Sequence, residues 1–199
     1  MARDAAKEAI KLGIPRMDAL IKGCCEGLKV VGVMGERIKK KGCESMTEKV
    51  MALEAFKAAV EVLKPSDKTG RFVIGTPVGD FHSWGKDFVI AMLEVAGFEV
   101  YDLGVDVPPE VFVEKAKELG ADFVGASAAL FGSTLLQKVI VNKLRSAGTK
   151  VKYVVGGASC TPEWAKEISA DGYGEDLLEA LKVTEELYQK LKEERKSGY

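Results

Sequence analysis

Histidine is nearly missing from this chain of 199 residues: His82 is the only one. That scarcity excludes a Cys2His2 zinc finger, an HExxH metalloprotease and any cage of several histidines within one chain. A Ser–His or Cys–His mechanism would have a single candidate base. Cysteine is scarce too. Cys24 and Cys25 are adjacent, Cys43 and Cys160 stand alone, and no CxxC pair exists to build a zinc ribbon or a thioredoxin-like site. Such cysteines read as reduced thiols, which points to a cytoplasmic protein. No window approaches the roughly 18 uncharged apolar residues of a membrane span. The opening MARDAAKEAIKLG lacks the apolar core of a signal peptide. An excess of one charge is also missing, since 29 Lys+Arg face 30 Asp+Glu. That balance argues against a nucleic-acid partner and against a disordered acidic tail. What is present is apolar material, 47% of the residues, enough for the core of one large or two small domains.

The patterning divides the chain into residues 1–67 and 68–199. The first part carries helix signals. Met46, Val50, Leu53, Phe56, Val60 and Leu63 fall at spacings of three and four, which predicts one apolar stripe on a helix of about five turns. Met17, Leu20 and Ile21 predict a short helix beginning near Pro15, and Val30 to Ile38 predicts another. Short helices of this kind need one another, so a small bundle is expected. Lys64-Pro65-Ser66-Asp67-Lys68-Thr69-Gly70 reads as a linker. Beyond it strand and helix alternate. Strands are expected at 71–75, 98–103, 122–126, 151–155 and 171–173, and helices at 84–95, 108–119, 133–146, 162–169 and 175–195. Trp84, Phe88, Ala91 and Val95 read as the core face of the first of these helices. Such alternation predicts a parallel sheet with helices on both faces, and function in the loops after the strands.

The first of those loops, Gly75-Thr76-Pro77-Val78-Gly79-Asp80-Phe81-His82-Ser83-Trp84-Gly85-Lys86, carries the most information. It is not a phosphate-binding P-loop. Five residues separate Gly79 from Gly85-Lys86, and Asp87 follows where a Ser or Thr would hold magnesium. No GxGxxG occurs, which argues against a nicotinamide or flavin site. Asp80 and His82 share parity, so both side chains fall on one side of an extended backbone. A carboxylate bonded to one imidazole nitrogen fixes the tautomer and makes the other nitrogen a better metal ligand. The same pair also fits a half-buried histidine beside an N-capping aspartate, and the loop alone leaves both readings open. Small residues and hydroxyls follow the third strand (Ser127 to Thr134), and a glycine pair, Gly156-Gly157, follows the fourth.

In combination these loops are specific. Asp80-x-His82-x-x-Gly85, Ser127-x-Ala129 and Gly156-Gly157 resemble the DxHxxG, SxL and GG signature of cobalamin-binding domains. The match runs on through Gly104-Val105-Asp106-Val107-Pro108-Pro109 and Ala170-Asp171-Gly172-Tyr173. The helices up to Pro65 are similar to the cap of the same proteins, so the chain resembles the methyltransferase corrinoid proteins. That group includes the carriers of methanol, methylamine and O-demethylase systems and the cobalamin module of methionine synthase.

The resemblance implies a helical bundle cap followed by a flavodoxin-like, Rossmann-type domain with a five-stranded parallel sheet. It implies cobalamin bound base-off and His-on, with His82 as the lower ligand of cobalt. Asp80 would orient His82, and Ser133 would complete the relay. Phe81, Gly85, Ser127, Ala129, Leu130, Gly156, Gly157 and Gly172 would surround the cofactor and its tail. The chain itself would be non-catalytic. It would carry a methyl group from a substrate methyltransferase to a second methyltransferase that loads tetrahydrofolate or coenzyme M, with a reductive activase as a further partner. The sequence departs from relatives at Ala129, where leucine is usual, at Phe131, commonly threonine, and over Lys39 to Ser45 in the cap. The competing readings are the cobalamin subunit of an adenosylcobalamin mutase, a cobalamin sensor and a corrin-free interaction domain.

Overall fold

The computed structural model describes residues 1–30 and 46–197. Apart from Val30, the expected helix from Val30 to Ile38 lies outside the described residues, as do the cap departures over Lys39 to Ser45. Two compact units divide the chain, Met1–Asp67 with Glu94–Gly97, and Lys68–Leu93 with Phe98–Tyr199.

In the first unit, α1 (Ala2–Lys11) packs on α4 (Met46–Leu63). Between them, α2 (Arg16–Asp18), a π-helical stretch (Ala19–Cys25) and α3 (Glu26–Val30) follow without a break. The sequence reading missed α1 because its buried contact is Ala6, a small residue that leaves little hydrophobic signal. The stripe on α4 is shorter than its spacing predicts. Phe56, Ala59, Val60 and Leu63 are buried, whereas Val50 is 49% exposed. Arg16 donates to the carbonyls of Val62, Leu63 and Lys64 at 3.3, 3.0 and 3.3 Å. This closes the C-terminus of α4 with a cation, where the helix has unpaired acceptors and partial negative charge.

The second unit is an open sheet of five parallel strands, β1 (Arg71–Gly75), β2 (Glu99–Asp102), β3 (Phe123–Ser127), β4 (Lys152–Gly156) and β5 (Gly172–Gly174). Their order is β2-β1-β3-β4-β5, the flavodoxin-like winding. The helices are α5 (Trp84–Val95), α6 (Pro109–Glu118), α7 (Phe131–Ser146), α8 (Pro162–Glu167) and α9 (Leu177–Lys196).

Alternation along the strands sorts the two faces. Val73, Val124, Tyr153 and Val155 point to one core with Phe112, Ile140, Val141 and Leu144 from α6 and α7. Phe72 points to the other face and stacks on Phe123 at 5.4 Å, with Phe98 edge-on to Phe123 at 5.9 Å. Tyr188 of α9 closes on Phe98 at 5.4 Å. Phe88 is buried as its position predicts, but Trp84 is exposed. Trp84 is the first residue of α5, where the chain is still leaving the loop and the helical face is not yet set against the sheet. The chain turns in opposite directions from β1 and from β3, so their carboxyl ends form the crevice where ligands of such sheets bind.

Candidate functional site

The loop leaving β1 is fastened to the loop leaving β2. The amide of Thr76 donates to Gly104 O (3.0 Å), that of Val78 to Val107 O (2.9 Å), and that of Val107 to Thr76 O (3.0 Å). These bonds extend the parallel pairing past the end of the sheet. Asp106, which adopts φ 57, accepts from Gly79 N–H at 2.8 Å and donates its own amide to Asp80 O at 3.1 Å.

At the end of this extension Asp80 turns its carboxylate inward, where it is fully buried. Oδ1 accepts from the amide of His82 (3.1 Å) and meets Nδ1 of the same residue at 2.7 Å. Oδ2 accepts from Ala129 N–H (2.8 Å), Leu130 N–H (3.2 Å) and the Ser133 hydroxyl (2.7 Å). Burial alone would raise the pKa of Asp80, but the bonds from Ser133, Ala129 and His82 outweigh it and hold the carboxyl well below the usual carboxylate range. An ionised carboxylate only accepts, so Nδ1 of His82 is the donor in this pair and Nε2 is the ring nitrogen left for a metal. The imidazole itself is 64% exposed. Thr76, buried, adds a bond from Oγ1 to His82 O at 3.3 Å. Exposed Phe81, Leu130 and Phe131 belong to the same two loops and give this end of the sheet an apolar surface.

A cavity of about 460 Å³ lies on the Phe72 face of the sheet. Phe72, Ile74 and Gly125 form its floor, Ser127, Gly156 and Gly157 its strand-end rim, and Gly85 and Val89 of α5 face Ala180 and Thr184 of α9 as walls. An exposed imidazole with a fixed tautomer is a one-point metal donor. It is set among apolar side chains on the same unit as a long cleft. That donor set fits a metal carried in a macrocycle with a trailing substituent. Within the second unit, residues 70–182 match the family described as B12 binding domain.

The chain belongs to this family.

It is 41% identical over 191 residues to trimethylamine corrinoid protein 2 of Methanosarcina acetivorans, covering 91% of this chain and 86% of the relative. It is 40% identical over 192 residues to dimethylamine corrinoid protein 1 of the same organism, covering 92% and 88%. The solved structure of the monomethylamine corrinoid protein of Methanosarcina barkeri is 32% identical, with a TM-score of 0.64 over 94% of this chain and 96% of that one. The helical region followed by the five-stranded parallel sheet is thus the architecture of a corrinoid protein.

Within this B12 binding domain, Asp80, His82 and Ser133 come together with the backbone amides of Ala129 and Leu130. Because residue 129 contributes its N–H, the alanine found there keeps the bond that a leucine would make. Gly85, Ser127, Gly156 and Gly157 line the cleft. Gly172 does not lie on its lining. A Cβ there would meet Val183 at 2.5 Å, whereas Gly174, two residues on, lines the cleft.

Gly157 has a second reason to be glycine. It sits at φ 108, and a Cβ would lie 2.2 Å from Ala128 O, so any side chain there disturbs the loop itself. Sequence reasoning missed Thr76, Asp106 and Lys86. The lysine was visible only as part of a failed P-loop match, and Thr76 and Asp106 act through loop pairing that no local pattern reports.

Proposed function

We propose that the chain is a methyl carrier that binds a corrinoid base-off and His-on, with His82 Nε2 as the lower ligand. The observation that carries this reading is the single imidazole held at Nδ1 by the buried carboxylate of Asp80. Bound there, the corrinoid supplies a cobalt centre that takes up and gives away a methyl group. His82 holds the metal through Nε2. By accepting from Nδ1–H, the Asp80 carboxylate fixes the tautomer that presents Nε2 to the metal.

Phe81, Leu130 and Phe131 give the macrocycle an apolar seat and keep water from the ligand. The cleft between Phe72, Gly85, Gly156 and Ala180 takes the displaced tail. The partners are a substrate methyltransferase and a methyl-acceptor methyltransferase, with a reductive activase to restore a carrier that has been oxidised. The methylamine corrinoid proteins among its relatives support a methylated amine as the methyl source, selected by the partner.

The sequence makes the test site-specific. With one histidine in the chain, growth on heavy-nitrogen histidine labels His82 alone. In the Co(II) state the nitrogen splitting of the electron spin resonance spectrum is expected to change with the label and to vanish in His82→Ala. A spectrum indifferent to both would overturn the ligand assignment.

A further inference from the structure

Lys86 is the one lysine of the second unit among the largest fully buried side chains, at 1% exposure. It follows Gly85 on the first turn of α5. Its Nζ lies 2.7 and 2.8 Å from the two carboxylate oxygens of Asp102 and 2.8 Å from Oδ1 of Asp87. A buried ammonium needs such partners to offset its desolvation, and removing one leaves the other uncompensated. What matters is where the pair leads. Asp102 ends β2, and its Oδ1 also accepts from Gly104 N–H at 2.8 Å. Gly104 O accepts from Thr76 N–H, and Thr76 Oγ1 reaches His82 O. Hydrogen bonds through Asp102, Gly104 and Thr76 in turn thus link Lys86 to the backbone of His82. The same ammonium ties the start of α5, just beyond His82, to the strand edge that carries the loop's support.

We propose that the Lys86–Asp102 ion pair is a positioning device for His82, fixing both ends of the loop that aims the imidazole. The proposal rests on the reading of His82 as the cobalt ligand. Lys86 and Asp102 are positioning residues that act through the loop; Lys86 also borders the cleft while Asp102 does not, so the Asp102 variant reads the loop effect by itself. Ligand-supporting groups of this kind typically change metal affinity by about 10- to 100-fold when removed.

The test uses the full chain titrated with hydroxocobalamin and compares Lys86→Met, Lys86→Arg, Asp102→Asn and the double variant Lys86→Met/Asp102→Asn. Each neutral single variant is expected to bind about tenfold more weakly and to lose part of the histidine splitting in the Co(II) spectrum. The double variant is expected to be no weaker than the weaker single, since both remove one device, and Lys86→Arg is expected to recover most of the splitting. Folded single variants with the affinity and splitting of the parent would overturn the proposal, as would losses that simply add.

Amide exchange in the cofactor-free chain supplies a second readout. Asp102→Asn is isosteric, and Asp87 still faces the Lys86 ammonium at 2.8 Å, so the buried charge keeps one carboxylate. This variant is expected to speed exchange at Val78 and Val107, and unchanged exchange at both would overturn the clamp. Failure of the parent chain to bind hydroxocobalamin would instead overturn the carrier reading, while exchange at these two amides would still decide the clamp.

Discussion

Asp80 and His82 lie two residues apart, yet one is sealed and the other is open. The carboxylate is fully buried, the imidazole is 64% exposed, and Oδ1 and Nδ1 are 2.7 Å apart. The buried partner is in turn held by three donors, the Ala129 and Leu130 amides of the β3–α7 loop and the Ser133 hydroxyl on the first turn of α7. The direction of the ring is therefore set by the junction of β1 and β3 rather than by its own exposed surroundings. In the ligand role proposed for it, an imidazole aimed in this way would need little reorganisation.

The first prediction concerns acid stability. The carboxyl of Asp80 is held below its ordinary pKa of 3.8 in the folded chain. A depressed carboxyl contributes stability that is fully present above the unfolded pKa and is lost as pH falls through the folded one. The cofactor-free chain is therefore expected to lose stability as pH drops below about 4. Asp80→Asn is expected to be less stable by about 1–3 kcal/mol at neutral pH, because buried donors lose a charged acceptor, and to show a flatter acid limb. Urea denaturation of both proteins across this range checks the sign, and parallel acid limbs would refute it.

The strand-and-helix order was legible because each element is short and bounded by glycine, proline or charge. The signature residues pointed to the loops after β1, β3 and β4, and the structure brings Asp80, His82 and Ser133 together where the first two of these loops meet. The β1–β2 loop pairing was not legible. It joins Thr76 to Gly104 and Val78 to Val107 through backbone groups, which any side chain supplies equally well. Trp84 misled because a helical stripe extended by periodicity alone ignores the turn at which the helix begins. Gly172 and Gly174 illustrate the same limit. Both are glycines on one short strand and both face α9, but only the position along the strand, with Gly174 at its carboxyl end, tells which one borders the cleft.

A second prediction concerns Gln137, fully buried on α7. Its Nε2 donates to Ala126 O at 2.8 Å and Gly156 O at 3.2 Å, across the ends of β3 and β4, while Oε1 accepts from Trp164 Nε1 at 3.0 Å. Gln137→Leu keeps the volume and strands these partners. A loss of about 2–4 kcal/mol is expected, measured by urea denaturation. A change below about 1 kcal/mol would mean that the amide is not bridging the two strands.

Cys160 provides a third. It is a free, buried thiol on the cleft lining, and burial pushes its pKa up to about 11. At pH 8 only about a thousandth of it is the reactive thiolate. Alkylation of the native chain at that pH is expected to spare Cys160 until denaturant is added. Bound hydroxocobalamin is expected to slow its modification further by filling the cleft. Modification as rapid as that of a denatured thiol, with or without the cofactor, would place Cys160 outside the cleft.

The last prediction separates the cleft from the fold. At Gly157 a Cβ collides with Ala128, so a variant there confounds lost binding with a damaged loop. Gly85 is different. It is the second residue of α5 and lines the cleft, and a Cβ there meets nothing within 4 Å. Replacing a helical glycine removes a penalty of about 1 kcal/mol, so Gly85→Leu is expected to melt at or above the temperature of the parent. The added side chain starts on the cleft lining, beside the space proposed for the corrinoid tail. Overpacking of about 1–3 kcal/mol corresponds to roughly a 5- to 150-fold loss of affinity for hydroxocobalamin. Calorimetric unfolding and a spectroscopic titration on one preparation give both numbers. A stable Gly85→Leu that binds like the parent would move the tail out of this cleft, whereas stability kept and affinity lost is the outcome the geometry requires.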